Sequence, residues 1–408
     1  MQTNLPSHLH FDPQDPTFVG DPYPTLGRFR QEAPIYYWEK AKGYLCFRYQ
    51  DMLTLLKEPR LGMDASIGAG LSAELRTRFP DYAALHEHGL STLRPKDHAR
   101  IRKIINPLFG PQAIEAYRPH IKQILTDVLD TLPRRGVINV FSDFSRKYPV
   151  RIIAALLNIA PGAEADFVAL ADALIATLLP TLSPEAFASY MPPISRGLAI
   201  VRQCIAERRK QPIEGDLLSC LISACDDQDR LSDGELYAMI AALLIAGSDT
   251  TVHLTTYALL ELLRHPDQLA LLRKDPSLAR LALDETLRHD NFNRVGLFRF
   301  ANETFPYQGF TFERGQPVLL SIASALRDPE FVPDAEVFDI RRRVHASPWF
   351  GHGPHFCIGA SLARLEAENA LQLFLERYPK IELAGEPVYG THEVFRDITN
   401  LPIHVQAN

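Results

Sequence analysis

Apolar residues recur at helical spacing through most of this chain. The longest such stretch, residues 232–264, opens on Ser232 with Glu235 three positions later, a capping-box pattern, and stops at Pro266. A second long one starts at Ser361 and runs through Leu362, Leu365, Leu371, Phe374 and Leu375. The same spacing predicts helices over 95–109, 111–132, 140–158, 163–179 and 184–209, with Met191-Pro192-Pro193 interrupting the last. A short helix follows Asp21-Pro22, and Asp284 to Arg288 falls on another. Strand signals are fewer. Residues 35–49 are rich in Tyr, Phe and Trp and nearly alternate around a Lys42-Gly43 turn, which predicts a hairpin. Residues 293–310 are extended in character, and 379–405 read as strands and turns. Residues 60–93 carry Gly62, Gly68, Gly70 and Gly89 with little periodicity and read as a long functional loop, a substrate gate. The pattern predicts a mainly α chain with a small β region. No linker, low-complexity tract or repeat divides residues 1–408, so one domain is expected.

Composition narrows the class. The 408 residues are 46% hydrophobic and 23% charged, the balance of a soluble globular protein. A formal charge of −6 offers no basic field for nucleic acid. Residues 1–11 are polar and read as neither signal peptide nor membrane anchor. No unbroken apolar run approaches the roughly 20 residues of a membrane span. Five scattered cysteines, an odd number, suit a reducing cytoplasm.

The long helix breaks its own pattern at Ala246-Gly247-Ser248-Asp249-Thr250. Glycine costs about 1 kcal/mol against alanine inside a helix, and a buried acid costs more unless paired. Such a conflict marks a functional site. The small Ala246 and Gly247 leave room for a ligand, while Asp249 and Thr250 supply a proton donor and a hydroxyl. A plain kink with satisfied polar groups is the competing reading.

Residues 350–359 read Phe-Gly-His-Gly-Pro-His-Phe-Cys-Ile-Gly, immediately before the helix at 361. Cys357 therefore lies at a helix mouth, where backbone N–H groups favour a thiolate. Gly351, Gly353 and Gly359 allow tight turns and close approach to a flat partner. A still thiolate beside a planar surface suits an axial haem ligand. A buried apolar cysteine and a nucleophile activated by His352 or His355 compete with this. Zinc is disfavoured, since no second cysteine stands at ligand spacing. Elsewhere, His98 and Arg102 share a helix face, as do Glu285 and Arg288.

Phe350, Gly353, Cys357 and Gly359 match the haem-binding signature of the cytochrome P450 family, which this chain resembles. The Ala-Gly-x-Asp-Thr run, the His98-x-x-x-Arg102 pair and Glu285-x-x-Arg288 occur in the family's order, so the resemblance covers essentially the whole chain. It implies the single-domain cytochrome P450 fold and haem b (iron protoporphyrin IX) bound through Cys357, with Ala246, Gly247, Phe350 and Gly359 around it. It also implies propionate contacts from His98, Arg102, Arg299 and His355, and proton handling by Asp249 and Thr250. Glu285 and Arg288 are structural in the family, often with a second arginine. Val337 stands where that arginine would be, leaving Arg341 or Arg342 to substitute. By family position the helices over 163–179 and 184–209 form a lid over the substrate channel.

The resemblance therefore implies a soluble, cytoplasmic haem-thiolate monooxygenase supplied with electrons by a ferredoxin and ferredoxin reductase. The ferredoxin would dock near Arg100, Lys103, Arg342, Arg343 and Arg364, with no nucleic acid or membrane partner. The expected substrate is small and apolar, lined by Leu243, Val295, Gly296, Leu297, Val394 and Phe395. Residues 89–109, 283–301 and 387–400 resemble a polyketide-epoxidising member, so hydroxylation or epoxidation of a polyketide or macrolide-like natural product is expected. A fatty-acid or terpenoid hydroxylase, with Arg294 on a carboxylate, is the alternative. A peroxide-driven enzyme, a non-catalytic haem module and a cysteine hydrolase each leave Asp249-Thr250 without a task.

Overall fold

Ser232 caps the longest helix as its sequence predicts. Its hydroxyl accepts from Glu235 N–H at 3.2 Å, and Glu235 Oε2 accepts from Ser232 N–H at 2.7 Å. The computed structural model describes residues 8–63, 73–159, 162–177, 183–224, 231–344, 348–392 and 394–407. Gly68, Gly70, Cys225 and residues 180–182 of the expected break between the lid helices lie outside them.

The principal helices are α1 (Tyr23–Glu32), α2 (Pro80–His88), α3 (Pro95–Ile105), α4 (Arg118–Asp130), α5 (Pro149–Leu156), α6 (Glu164–Ala176), α7 (Met191–Lys210), α8 (Asp233–Arg264), α9 (Ala279–His289) and α10 (Ala360–Arg377). The strands are β1 (Ile35–Trp38), β2 (Gly43–Cys46), β3 (Leu61–Gly62), β4 (Arg135–Asn139), β5 (Leu297–Ala301), β6 (Pro317–Leu320), β7 (Lys380–Leu383) and β8 (Pro402–Gln406), beside short hairpin strands. β1, β2, β6, β5 and β3 form one sheet in that order, with only β2 and β6 parallel. β4, β8 and β7 form a small antiparallel sheet.

α8 passes through the centre, packed by α2, α5, α6, α9 and α10. By length and composition it is apolar enough to cross a membrane, yet most of it is buried in the protein. That is the signature of a core helix, apolar all round. One large apolar cluster gathers around α8 and α10, and two smaller ones lie beside the five-stranded sheet.

Prolines explain most departures from the sequence pattern. Residues 140–158 are not one helix: a wide turn, Val140–Ser145, precedes α5, which starts at Pro149 because proline has no N–H to continue a helix. Residues 184–209 are interrupted where expected: a helix Pro184–Ser189 ends before Tyr190, and Met191-Pro192-Pro193 opens α7, where the missing N–H groups cost nothing. Residues 111–132 likewise divide into Pro111–Glu115 and α4. The expected loop over 60–93 contains β3, a short helix Ala73–Arg78, and α2. Phe79, Tyr82 and Leu85, three apart, pack against the main core and hold α2 in place.

Candidate functional site

The cysteine loop is shaped by left-handed glycines. Gly351 (φ +78°) and Gly353 (φ +68°) turn the chain back, and Cys357 N–H donates to Phe350 O at 2.9 Å. Gly359 then caps α10. Arg364, from the start of that helix, lies over the Phe350 ring, 4.4 Å from its centroid. Cys357 is half-buried. Burial raises its thiol above the ordinary range, while the Gly359 N–H, Arg102 and Arg364 pull it back. Burial thus opposes the thiolate that the helix mouth favours, and a bound metal ion would favour it.

Four potential cations gather nearby. The rings of His98 and His355 stand 4.2 Å apart between centroids, with Arg299 and Arg102 acting on His355. His98 is 3% and Arg299 5% exposed. Burial, then His98, Arg299 and Arg102, push His355 down to about 4. Burial lowers Arg299 to about 10, and its guanidinium donates to the Phe298 carbonyl at 2.7 Å. Among the described residues no carboxylate acts on any of the four, and the only opposing charge is Cys357 on Arg102. Arg102 and Arg299 are the standing cations of the group, and a cation withdrawn from water without an anion is costly. The cluster thus fits an anionic ligand, and haem, with two propionates and an iron for sulfur, answers both its charge and Cys357.

On α8 a less buried stripe breaks an otherwise buried helix: Ala246 is exposed, and Ile245, Gly247 and Thr250 are half-buried. Ala246 and Thr250 therefore face open space beside the helix. Thr250 Oγ1 donates to Ala246 O at 2.8 Å, so its hydroxyl offers only acceptor lone pairs to that space. Gly247 is small for a different reason than expected. A Cβ there would meet Ile153 Cδ1 of α5 at 2.6 Å, so it makes room for a neighbouring helix.

Asp249 is 6% exposed. Its carboxylate stands 3.5 Å from His253 Nε2 and 4.0 Å from Arg146 Nη1. Burial raises its pKa, but the charges of His253, His392 and Arg146 outweigh this and hold it below the ordinary range. The surrounding cations thus favour the ionised form of Asp249. Arg146 also binds Asp172 of α6 at 2.6 Å, and Asp172 is 47% exposed. Arg146, His253 and His392 were not among the sequence candidates. Only His253, four residues from Asp249, carried a local signal.

Several expected pocket residues are packed against other parts of the protein. Val295 is 1% exposed in the cluster with Leu9, Phe11, Phe18 and Leu319. Gly296 does not open width for a ligand, because the Leu320 backbone fills its side. Phe395 is 8% exposed, packed by His253, Phe292 and His392. Val394 and Leu243 are buried in the main core, and Leu297 is half-buried. Arg294 donates to Gln14 Oε1 at 3.0 Å and Gly390 O at 3.4 Å, and Asn293 Oδ1 accepts from Gly296 N–H. Both thus have partners within the protein.

Glu285 and Arg288 form a buried fork with contacts of 2.7 and 2.8 Å. Arg342 supplies the third member at 3.2 Å from Glu285 Oε1, while Arg341 turns to Asp339. The carbonyl of Val337 also accepts from Arg288 at 2.9 Å. Three of the five proposed docking cations are engaged by carboxylates: Arg342 by Glu285, Arg100 by Glu235 and Arg364 by Asp284.

Residues 194–383 match the family model of cytochrome P450. The chain is 38% identical to the epothilone C/D epoxidase of Sorangium cellulosum over 98% of this chain and 96% of that one. It is 31% identical to the polyketide biosynthesis cytochrome P450 PksS of Bacillus subtilis, covering 97% and 98%. The crystal structure of epothilone D-bound cytochrome P450epoK matches with a TM-score of 0.93 and 36% identity, over 98% of this chain and all of that one.

Proposed function

This chain belongs to the cytochrome P450 family, and from that premise we propose that it hydroxylates or epoxidises a bulky, mainly hydrocarbon polyketide or macrolide-like natural product. It is a monooxygenase, an oxidoreductase drawing on dioxygen and a redox partner. The observation that carries the substrate class is the likeness, along nearly the whole chain, to the epothilone C/D epoxidase.

Cys357 would hold the haem, read as haem b, whose iron would supply the chemistry of dioxygen reduction. The chain's own residues orient and protonate. Arg102 and Arg299 would neutralise the propionates, and His98 and His355 would donate hydrogen bonds to them, so that charge-assisted hydrogen bonds replace the repulsion between the two arginines. Glu285, Arg288 and Arg342 tie the segment around Val337 to α9. Asp249 takes up a proton from the side of Arg146 and Asp172 and gives it up toward Thr250. Thr250, its own proton committed to Ala246 O, orients a donor through its free lone pairs. The substrate lies against the open stripe of α8, with Leu297 beside it, and binds chiefly by apolar area removed from water, roughly 25 cal/mol per Å². Electrons come from a ferredoxin and its reductase in the cytoplasm, with Lys103 and Arg343 among the docking cations.

The test is a titration of the ferric holoprotein with a macrolactone panel and a fatty-acid panel, following the Soret band. Tight shifts with macrolactones are expected. Shifts with fatty acids alone would overturn the substrate class, and so would an absence of oxygenated product from any macrolactone that binds.

A further inference from the structure

His253 serves none of the roles assigned to its neighbours. It lies on α8 one turn beyond Asp249, is 2% exposed, and is flanked by Phe292 and Phe395 at 5.4 and 5.2 Å between ring centroids. A ring that merely filled this apolar gap would gain nothing from nitrogen. Yet Nε2 stands 3.5 Å from Asp249 Oδ2, a charge contact, and neither ring nitrogen has a hydrogen-bond partner among the described residues. Buried polar atoms are ordinarily satisfied, so the Asp249 charge is the one structural reason for an imidazole here.

The charged groups around it come from three directions. Asp249 faces it from its own helix, Asp172 acts on it from α6, and His392 from the C-terminal turn. Arg146 lies on the far side of Asp249, bridging to the partly exposed Asp172. The carboxylate is thus held between a fixed cation, Arg146, and a titratable one.

We propose that His253 is a positioning residue for proton delivery, its protonated ring holding the Asp249 carboxylate ionised and its neutral ring releasing it to carry a proton. The sign comes from charge. A protonated imidazole stabilises the carboxylate and opposes proton uptake, whereas a neutral one removes that opposition while Arg146 remains. Every proton that Asp249 accepts it gives up again, so the pair ends each cycle as it began. The inference rests on the reading of Asp249 as a proton carrier, and deepens it.

The test uses the haem-loaded full chain in four forms: wild type, Asp249→Asn, His253→Phe and His253→Gln, with Asp249→Asn also added to each His253 variant. The Asp249 carboxylate stretch is isolated as the infrared difference between each protein and its Asp249→Asn counterpart. It is followed over about pH 5.5–8.5, where imidazole titrates. Peroxide released per reduced nicotinamide is measured over the same range. The wild-type band and peroxide ratio should break at a common pH, and both breaks should vanish in His253→Phe, which keeps the aromatic packing. His253→Gln, polar but not titratable, should lose the breaks too, and it decides the matter if the phenylalanine variant does not fold. A pH-invariant wild-type band, or breaks that survive either substitution, would overturn the proposal. Should Asp249→Asn leave the peroxide ratio unchanged, the proton-carrier reading falls, while the infrared result still reports whether His253 governs the carboxylate.

Discussion

A Cβ built on Gly296 would stand 2.3 Å from the Leu320 carbonyl oxygen, and the glycine's φ is +111°. The residue is small because β6 passes against it, in a backbone region that L side chains rarely adopt. Gly296→Ala should therefore lower the stability of the holoprotein by about 1–3 kcal/mol, the usual cost of a strained backbone position. Thermal denaturation checks this. An unchanged midpoint would show that the loop before β5 relaxes freely.

The glycines show where sequence reading stops. Gly247 and Gly296 both announce that something comes close, but the approaching partners, Ile153 and Leu320, belong to other elements with no local signal. Val295 fails similarly: its position in an apolar run says that it is buried, not on which side. The features that were legible are those whose partners are near in sequence. Ser232 and Glu235, Glu285 and Arg288, and Ala246 with Thr250 all lie three or four residues apart, so helix geometry alone brings them together. Arg146 and Asp249 meet only through the packing of α8, and nothing in either neighbourhood predicts the pair.

Arg341 and Arg342 are adjacent yet should differ sharply. Arg342 touches the buried Glu285 and the carbonyls of Pro333, Asp334 and Val337, whereas Arg341, 65% exposed, pairs with Asp339 at the surface. Exposed pairs contribute about 0–1 kcal/mol, while removing one partner of a buried network costs roughly 3–5 kcal/mol. Arg342 is itself part-exposed, so its loss should fall below that range but clearly above the loss from Arg341→Ala. Denaturant unfolding of Arg342→Ala and Arg341→Ala decides it. Equal midpoints would remove Arg342 from the triad.

Glu366, on α10, is 1% exposed, and neither carboxylate oxygen has a hydrogen-bond partner among the described residues. Burial raises its pKa well above the ordinary 4.5. A raised carboxyl contributes stability below the unfolded value and loses it as pH rises toward the folded one. Glu366→Gln, which cannot ionise, should not share that loss. Relative to this variant, wild type should lose stability as pH rises from about 5 to 8, each unit of elevation being worth about 1.4 kcal/mol. Parallel melting curves for the two proteins across that range would show that Glu366 is ionised and paired.

Arg299 is buried with its guanidinium on a single backbone carbonyl, in a cluster otherwise short of negative charge. Arg299→Leu relieves the burial of that cation in the haem-free chain but removes a propionate partner in the loaded one. Haem should therefore leave the variant faster, by roughly tenfold or more for a lost charged hydrogen bond of about 1.5–3 kcal/mol, while the apoprotein melts no lower. Transfer of haem to an excess of an acceptor protein measures the rate. Loss no faster than wild type would show that Arg299 does not anchor the cofactor.

Thr250 donates its proton to Ala246 O and lies half-buried on the open stripe of α8. Such back-bonding to the preceding turn is common and nearly neutral for the helix, so Thr250→Ala should leave folding, haem content and substrate-induced spectral shifts close to wild type. On the proposed reading, what it removes is a fixed acceptor facing the open space beside α8 where dioxygen would be reduced. Without it, proton delivery loses its direction, and reducing equivalents should appear as peroxide in place of oxygenated product. Thr250→Ser restores the hydroxyl and its bond to Ala246 O, and Thr250→Val keeps the shape without the oxygen. Product formed per reduced nicotinamide should fall well below wild type in the alanine and valine variants, with peroxide rising to match, and recover in serine. If valine matches wild type, the hydroxyl is structural and another group orients the proton.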